Sequence, residues 1–214
     1  FMLDKPLIVQ SDKTLLLDVH SPAAEECRNA LIPFAELEKS PEHLHTYRLT
    51  PLSLWNAASC AFSTEEAIEV LKKFSRYEVP QVVCAWIEQV GLRFGKLIIL
   101  PDFTEKTEAE SELEKEGDFL FLVTENANIY AEIKATRALE KNLIPYPIDT
   151  EEYYKFKNTN SNLPVYGFKL SLMDRGTIKQ ELLKLGWPVK DEVPLREGEP
   201  LNINLRKETS NGKP

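Results

Sequence analysis

No apolar run in the 214 residues approaches the ~20 that a membrane-spanning helix needs. The first residues, FMLDKP, lack the basic-then-apolar layout of a secretory signal, and Phe1 before Met2 reads as an appended residue. A cytoplasmic location is therefore expected. Cysteine is scarce: Cys27, Cys60 and Cys84 are an odd number, far apart, each inside an apolar helical pattern. They give neither a disulfide framework nor a zinc spacing, and all three are expected to be buried thiols. His43 and His45 in PEHLHTY have no Cys, Asp or third His at ligand spacing. No metal is expected there, and the stretch reads as a loop or a helix terminus.

Phosphate-cradling chemistry is missing as well. An ATP-driven motor needs a glycine loop carrying Lys and Ser or Thr, with acids that hold magnesium. The nearest approach, GLRFGKL at 91–97, is one residue short and has Leu97 where the metal-contacting hydroxyl belongs. It also lies at a helix-to-strand junction, the reverse of the setting that aims backbone amides at phosphate. No Asp-Glu-x-His box, nucleophile elbow or His with a Ser or Cys partner occurs. This chain is expected to have no catalytic residues and no cofactor of its own.

What is present is a real core and an uneven charge. At 43% hydrophobic the chain can bury enough surface for one domain or, as expected here, two small ones. The net charge of −8 argues against indiscriminate binding to nucleic acid by the whole chain. The charge is concentrated: 102–118, DFTEKTEAESELEKEGD, sets eight acids against Lys106 and Lys115. That run reads as an exposed acidic connection. From 166 to 214, nine Lys or Arg face seven acids, which leaves room for a modest phosphate-facing patch.

Along the chain, LIVQ and TLLLDV read as a β-hairpin joined at Ser11-Asp12-Lys13. Ser21-Pro22 opens a helix with Ala24, Cys27, Ala30, Leu31 and Phe34 on one face and Ser21 as its cap. Thr50-Pro51, Ser63-Thr64 and Val79-Pro80 each start a further helix. Three helices followed by a strand at 96–100 suggest a winged helix with that strand in the wing. The outer face of its third helix offers Gln81, Glu88, Gln89 and Arg93, a poor set for reading bases. Trp55 is expected in the core. Beyond the acidic run, FLFLVT reads as a buried strand, and NIYAEIKATRALEKNL as a helix that turns Ile129, Ile133 and Leu139 inward. The strand FKLSL and the helix RGTIKQELLKLG follow, with Gly186 as a left-handed C-cap, and then an edge strand at 201–205.

Two stretches carry a family resemblance. FKLSLMDRGTIKQELLKLGWPVKDEVPLREGEPLNINLR, at 168–206, resembles XPB-type DNA repair helicases, where this pattern closes the domain just upstream of the motor. Residues 5–59, from KPLIVQ to LWNAAS, are similar to the N-terminal domain of the bacterial members. The resemblance implies an α+β chain: an N-terminal β-hairpin plus winged-helix-like domain at 3–101, the acidic connection at 102–118, and a small mixed-sheet α/β damage-recognition-like domain at 119–206. Residues 207–214 would lead to the motor, which alone would hold ATP and magnesium. It further implies a non-catalytic part of a superfamily 2, ATP-dependent 3′–5′ helicase of nucleotide excision repair, nucleoid-associated in a bacterium. Such a part would sense distorted double-stranded or forked DNA. It would also dock a repair protein or a second copy through the N-terminal domain. The competing reading is a protein-interaction module without DNA affinity.

Candidate DNA contacts are Arg175, Lys179, Lys184 and Lys190, with Trp187 as a stacking wedge at unpaired bases. The same residues equally suit a solvated helix face and a core lid. Tyr47, Arg48 and Arg93 are candidate docking residues, and Arg48 equally suits a tie between the two N-terminal layers.

Overall fold

The computed structural model describes residues 4–104 and 119–194, and the chain divides into two units between Phe94 and Gly95. The acidic connection from 105 onward, the strand expected at 201–205 and the segment 207–214 lie outside the described residues.

In the first unit, β1 (Leu7–Val9) and β2 (Thr14–Asp18) form the expected hairpin. Its turn is fixed by Asp12, whose Oδ1 accepts from the Thr14 amide at 3.0 Å, and by Lys13 at φ 68°. Leu7, Val9, Leu15 and Leu17 point into the core, as strand alternation requires. β3 (Glu36–Lys39) and β4 (Leu44–Arg48) extend this hairpin to a four-stranded antiparallel sheet in the order β1-β2-β4-β3. His45 therefore stands in β4 and not in a loop or helix end, whereas His43 lies in the loop that leads into it, as expected. His43 faces His20, ring nitrogen to ring nitrogen at 2.7 Å.

Four helices cover this sheet's apolar side. In α1 (Ala24–Leu31), Cys27 and Leu31 are buried as expected, but Ser21 does not cap the helix. Its hydroxyl donates instead to the Asp4 carbonyl at 2.6 Å. α2 (Pro51–Ser59) and α3 (Thr64–Phe74) both begin with complete capping boxes, Thr50 with Ser53 and Ser63 with Glu66. α4 (Gln81–Gly91) begins one residue later than the sequence suggests, with Pro80 as its N-cap. Trp55 lies in the core and donates from Nε1 to the Val90 carbonyl at 2.9 Å, joining α2 to α4. Cys60 is exposed at the end of α2, contrary to expectation, whereas burial pushes the Cys27 thiol up to about 12.

The strand assigned to a wing belongs elsewhere. β5 (Leu97–Pro101) pairs antiparallel with β6 (Phe119–Thr124) and parallel with β9 (Val189–Asp191), within the second sheet. A run as apolar as LIILP needs cover on both faces, which a solvent-facing wing does not provide.

The second unit is a five-stranded mixed sheet in the order β7-β8-β6-β5-β9, with β7 (Ile144–Tyr146) and β8 (Tyr166–Ser171) completing it. The central strand FLFLVT sends Leu120 and Leu122 to one face and Phe121 and Val123 to the other. On the first face lie α5 (Ala127–Lys134) and α7 (Arg175–Lys184), packing Ile129, Ile133, Ile178 and Leu182 against Phe168 and Leu170. On the second, α6 (Thr150–Lys157) brings Tyr153 and Tyr154 onto Phe121. Ile129, Ile133 and Leu139 are all buried, though the helix ends at Lys134 and turns deliver Leu139. α7 closes as expected, with Gly186 at φ 86° and the Trp187 amide donating back to the Leu182 carbonyl.

The last residue of α4 supplies a test of the first unit's packing. A Cβ on Gly91 would stand 1.9 Å from Thr64 Cγ2, at the first residue of α3. Gly91→Ala should therefore destabilise the protein by about 1–3 kcal/mol despite alanine's better helix propensity. Thr64→Ser, which removes that methyl, should restore most of the loss in urea titrations. A Gly91→Ala variant as stable as the parent would refute the close approach of α3 and α4.

Candidate nucleic-acid interface

Five residues of the second unit were expected to meet DNA, and the fold sends them in different directions. Arg175 and Lys179 lie one turn apart on α7 and are each only 6% exposed. Arg175 Nε donates to Asp191 Oδ2 at 2.6 Å and Lys179 Nζ to the same oxygen at 3.0 Å. Arg175 also donates to the Val193 carbonyl, and the Val193 amide donates to Asp191 Oδ1. The two cations thus hold β9 and its exit to the helix. This corrects their reading as phosphate contacts: their charged ends are taken up by a buried carboxylate.

The electrostatics follow. Burial alone would raise the Asp191 pKa, but the Arg175 hydrogen bond and the Lys179 charge outweigh it and hold the carboxyl below its ordinary value. Lys179 is pulled below its ordinary value, first by burial and then by the Arg175 charge, against the opposing pull of Asp191.

Trp187 packs against the core under α5 and α7, and its Nε1 donates to Glu132 Oε2 at 3.0 Å. It is a lid whose indole nitrogen is engaged, which does not suit a wedge. Lys184 and Lys190 are exposed. Lys184 meets Glu181 at 2.8 Å and Lys190 meets Glu192 at 3.6 Å. Exposed pairs of this kind are worth ~0–1 kcal/mol and exchange readily for a phosphate.

The docking residues of the first unit also separate. Tyr47 is buried opposite Leu15 and Leu37 in the sheet, so it anchors β4 and offers nothing to a partner. Arg48 is exposed, and its Nε donates to Glu38 Oε1 at 3.2 Å within the sheet. It does not join the layers. Arg76, which the sequence did not single out, does so: it donates to the Lys5 carbonyl at 3.1 Å and to Asp18 Oδ2 at 3.3 Å. Arg93 is half-buried just past α4. The exposed face of α4 carries Gln81, Val82, Ala85, Glu88, Gln89 and Leu92, and it has no cation among them.

The stretch GLRFGKL is confirmed as a helix-to-strand junction, from the end of α4 through Gly95 at φ 92° into β5. Among the described residues no group of three or more His, Cys, Asp or Glu could hold a metal, and no helix is long and apolar enough to cross a membrane.

A family model described as the helicase conserved C-terminal domain matches residues 7–145. The chain belongs to that helicase family. The matched span takes in the first unit and the second as far as β7. Relatives extend the likeness to β8, α7 and beyond. The DNA 3′-5′ helicase XPB of Kineococcus radiotolerans is 37% identical over 211 residues, 95% of this chain and 31% of the relative. That of Mycobacterium tuberculosis is 35% identical over 97% of this chain and 32% of the relative. The general transcription and DNA repair factor IIH helicase/translocase subunit XPB/SSL2 of Saccharomyces cerevisiae is 33% identical over 50% of this chain and 13% of the relative. The likeness is that of an XPB-type helicase segment, and it spans about a third of the bacterial relatives it matches.

In this helicase segment Asp191 should be the most sensitive charged position of the second unit. Asp191→Ala strands two buried cations and should cost about 3–5 kcal/mol. Lys179→Met should cost far less, because Arg175 still holds the carboxylate. A lowered carboxyl pKa stabilises the fold above the unfolded value of ~3.9 and loses that stabilisation as pH falls through the folded value. Acid unfolding of the parent should therefore shift to higher pH in Arg175→Ala. Equal stability of Asp191→Ala and the parent in urea would contradict the arrangement.

Proposed function

We propose that this chain is a non-catalytic front part of an XPB-like, superfamily 2, ATP-dependent 3′–5′ DNA helicase of DNA repair. The second unit touches double-stranded or forked DNA and senses its distortion, and the first docks a repair protein or a second copy. The observation that carries this reading is the 37% identity over 95% of the chain to a DNA 3′-5′ helicase XPB. The placement ahead of the motor rests on the order of the two family-like stretches, 5–59 and 168–206. ATP and magnesium would be held by the motor of the full-length helicase. The location would be the cytoplasm, on the nucleoid.

The charge distribution supports the division of labour. Lys184 and Lys190 remain exposed on the second unit. In the first, Tyr77, Val82 and Leu92 are exposed apolar side chains, and the α4 face that carries the last two has no cation, which suits protein and not phosphate. A second reading, a protein-interaction module without DNA affinity, draws on the burial of Arg175 and Lys179, which removes two of the four expected phosphate contacts.

Fluorescence anisotropy of the chain with intact and forked duplexes at two salt concentrations separates the readings. Salt-sensitive binding that favours the fork is expected. Lys184→Gln with Lys190→Gln should lower the salt slope by about one for each phosphate left without its lysine. No binding to either duplex would overturn the DNA reading in favour of the docking module.

A further inference from the structure

The chain has three histidines, and the fold pairs two that no sequence spacing joins. His45 lies in β4 opposite Leu17 and is half-buried. His43, just before β4, meets His20, which is 23 residues earlier in the turn after β2. The antiparallel pairing of β2 with β4 brings the two segments together. His20 Nε2 stands 2.7 Å from His43 Nδ1, with the ring centres 4.9 Å apart and the planes tilted by 38°. Both rings are exposed to solvent.

The backbone on both sides is pinned without help from the rings. Asp18 and Leu44 are partners in the ladder, and the Val19 amide continues it by donating to the His43 carbonyl at 3.4 Å. The His20 amide donates to Asp18 Oδ1 at 3.0 Å, and the Ser21 amide to the Asp18 carbonyl at 3.3 Å. The Ser21 hydroxyl ties the same turn to the Asp4 carbonyl. A solvent-exposed hydrogen bond between the two imidazoles therefore adds little to folding. The charged groups that these contacts bring to the pair are Asp18, Glu42 and Arg76. Arg76 is engaged with Asp18 Oδ2 at 3.3 Å, so these groups set no net positive charge against a bound cation.

Two imidazole nitrogens this close suit chelation. Two ligands about 2.0–2.1 Å from one ion are about 2.9 Å apart at the right angle of a tetragonal site and about 3.3 Å apart at the tetrahedral angle. The observed 2.7 Å is nearer the first, which favours the geometry of Cu(II) or Ni(II) over that of Zn(II). Glu42 Oε2 lies 3.8 Å from His43 Nε2. A carboxylate there favours the proton on Nε2 and leaves the lone pair on Nδ1, the atom that faces His20. His20 presents its own lone pair once its proton moves from Nε2 to Nδ1.

We infer that His20 Nε2 and His43 Nδ1 form a binding site for a divalent transition-metal ion of the copper or nickel type. No third His, Cys, Asp or Glu joins them among the described residues, so the other positions fall to water or to a donor from outside the chain. The site belongs to the first unit and does not rest on the DNA reading.

The test is calorimetric titration of the full chain with Ni(II), chosen because Cu(II) would oxidise the exposed Cys60 thiol. One ion per chain is expected. His20→Gln and His43→Gln, both at exposed side chains, should each weaken binding at least about tenfold. His45→Gln and Cys60→Ser, which remove the remaining histidine and the exposed thiol, should bind as the parent does. Ni(II) should also raise the thermal unfolding temperature of the parent and leave that of His20→Gln unchanged, since only a ligand of the folded state stabilises it. The metal-free variants should unfold at the parent's temperature, which separates loss of the site from loss of the fold. No saturable binding by the parent, equal binding by His20→Gln and His43→Gln, or a loss confined to Cys60→Ser would each overturn the site.

Discussion

The second unit depends on one buried carboxylate. Asp191 ends a three-residue edge strand that has a single fully apolar anchor, Val189, and too few ladder bonds to hold itself. Arg175 and Lys179 supply what the strand lacks, and Lys157 reinforces it by holding Glu192 at 2.9 Å from the side of α6. A carboxylate this deeply buried is tolerable only with such partners, and the partners are equally bound to it. This constraint decides which cations of the C-terminal part are available to a ligand. Half of the basic residues that a sequence reading assigns to phosphate are consumed in closing the sheet.

Elements with a local signature were legible. Capping boxes at Thr50 and Ser63, the alternation in TLLLDV and FLFLVT, and Gly186 after an amphipathic run are each fixed by chemistry within a few residues, and the structure places them as read. What was missed has no such signature. ELEK and LHTYR become strands because β2 offers a free edge and Tyr47 fills the core opposite Leu15. IPY becomes β7 although Pro145 removes a donor, which an edge position allows. The apolar strand at 97–101 was legible as a strand, but its sheet depended on partners far along the chain, in β6 and β9.

The candidate site was less legible than the fold, for a related reason. A lysine on an amphipathic helix looks the same in sequence whether it faces water or a buried acid, and Asp191 lies 12 residues beyond Lys179. One usable hint was present: the acid falls in a short strand, Val189-Lys190-Asp191, where alternation sends Val189 and Asp191 to the same side. In the first unit, conversely, the poor base-reading face expected of the third helix is what the structure presents on α4, with Val82 and Leu92 added to it.

In the proposed reading DNA falls to the second unit, and α4 of the first is left for a protein. The most direct test is residue-resolved hydrogen exchange of the whole chain, with and without a forked duplex. Slowed exchange is predicted at 184–191, with the α4 stretch 81–92 unchanged. Protection confined to 81–92, with the second unit unaffected, would contradict this division.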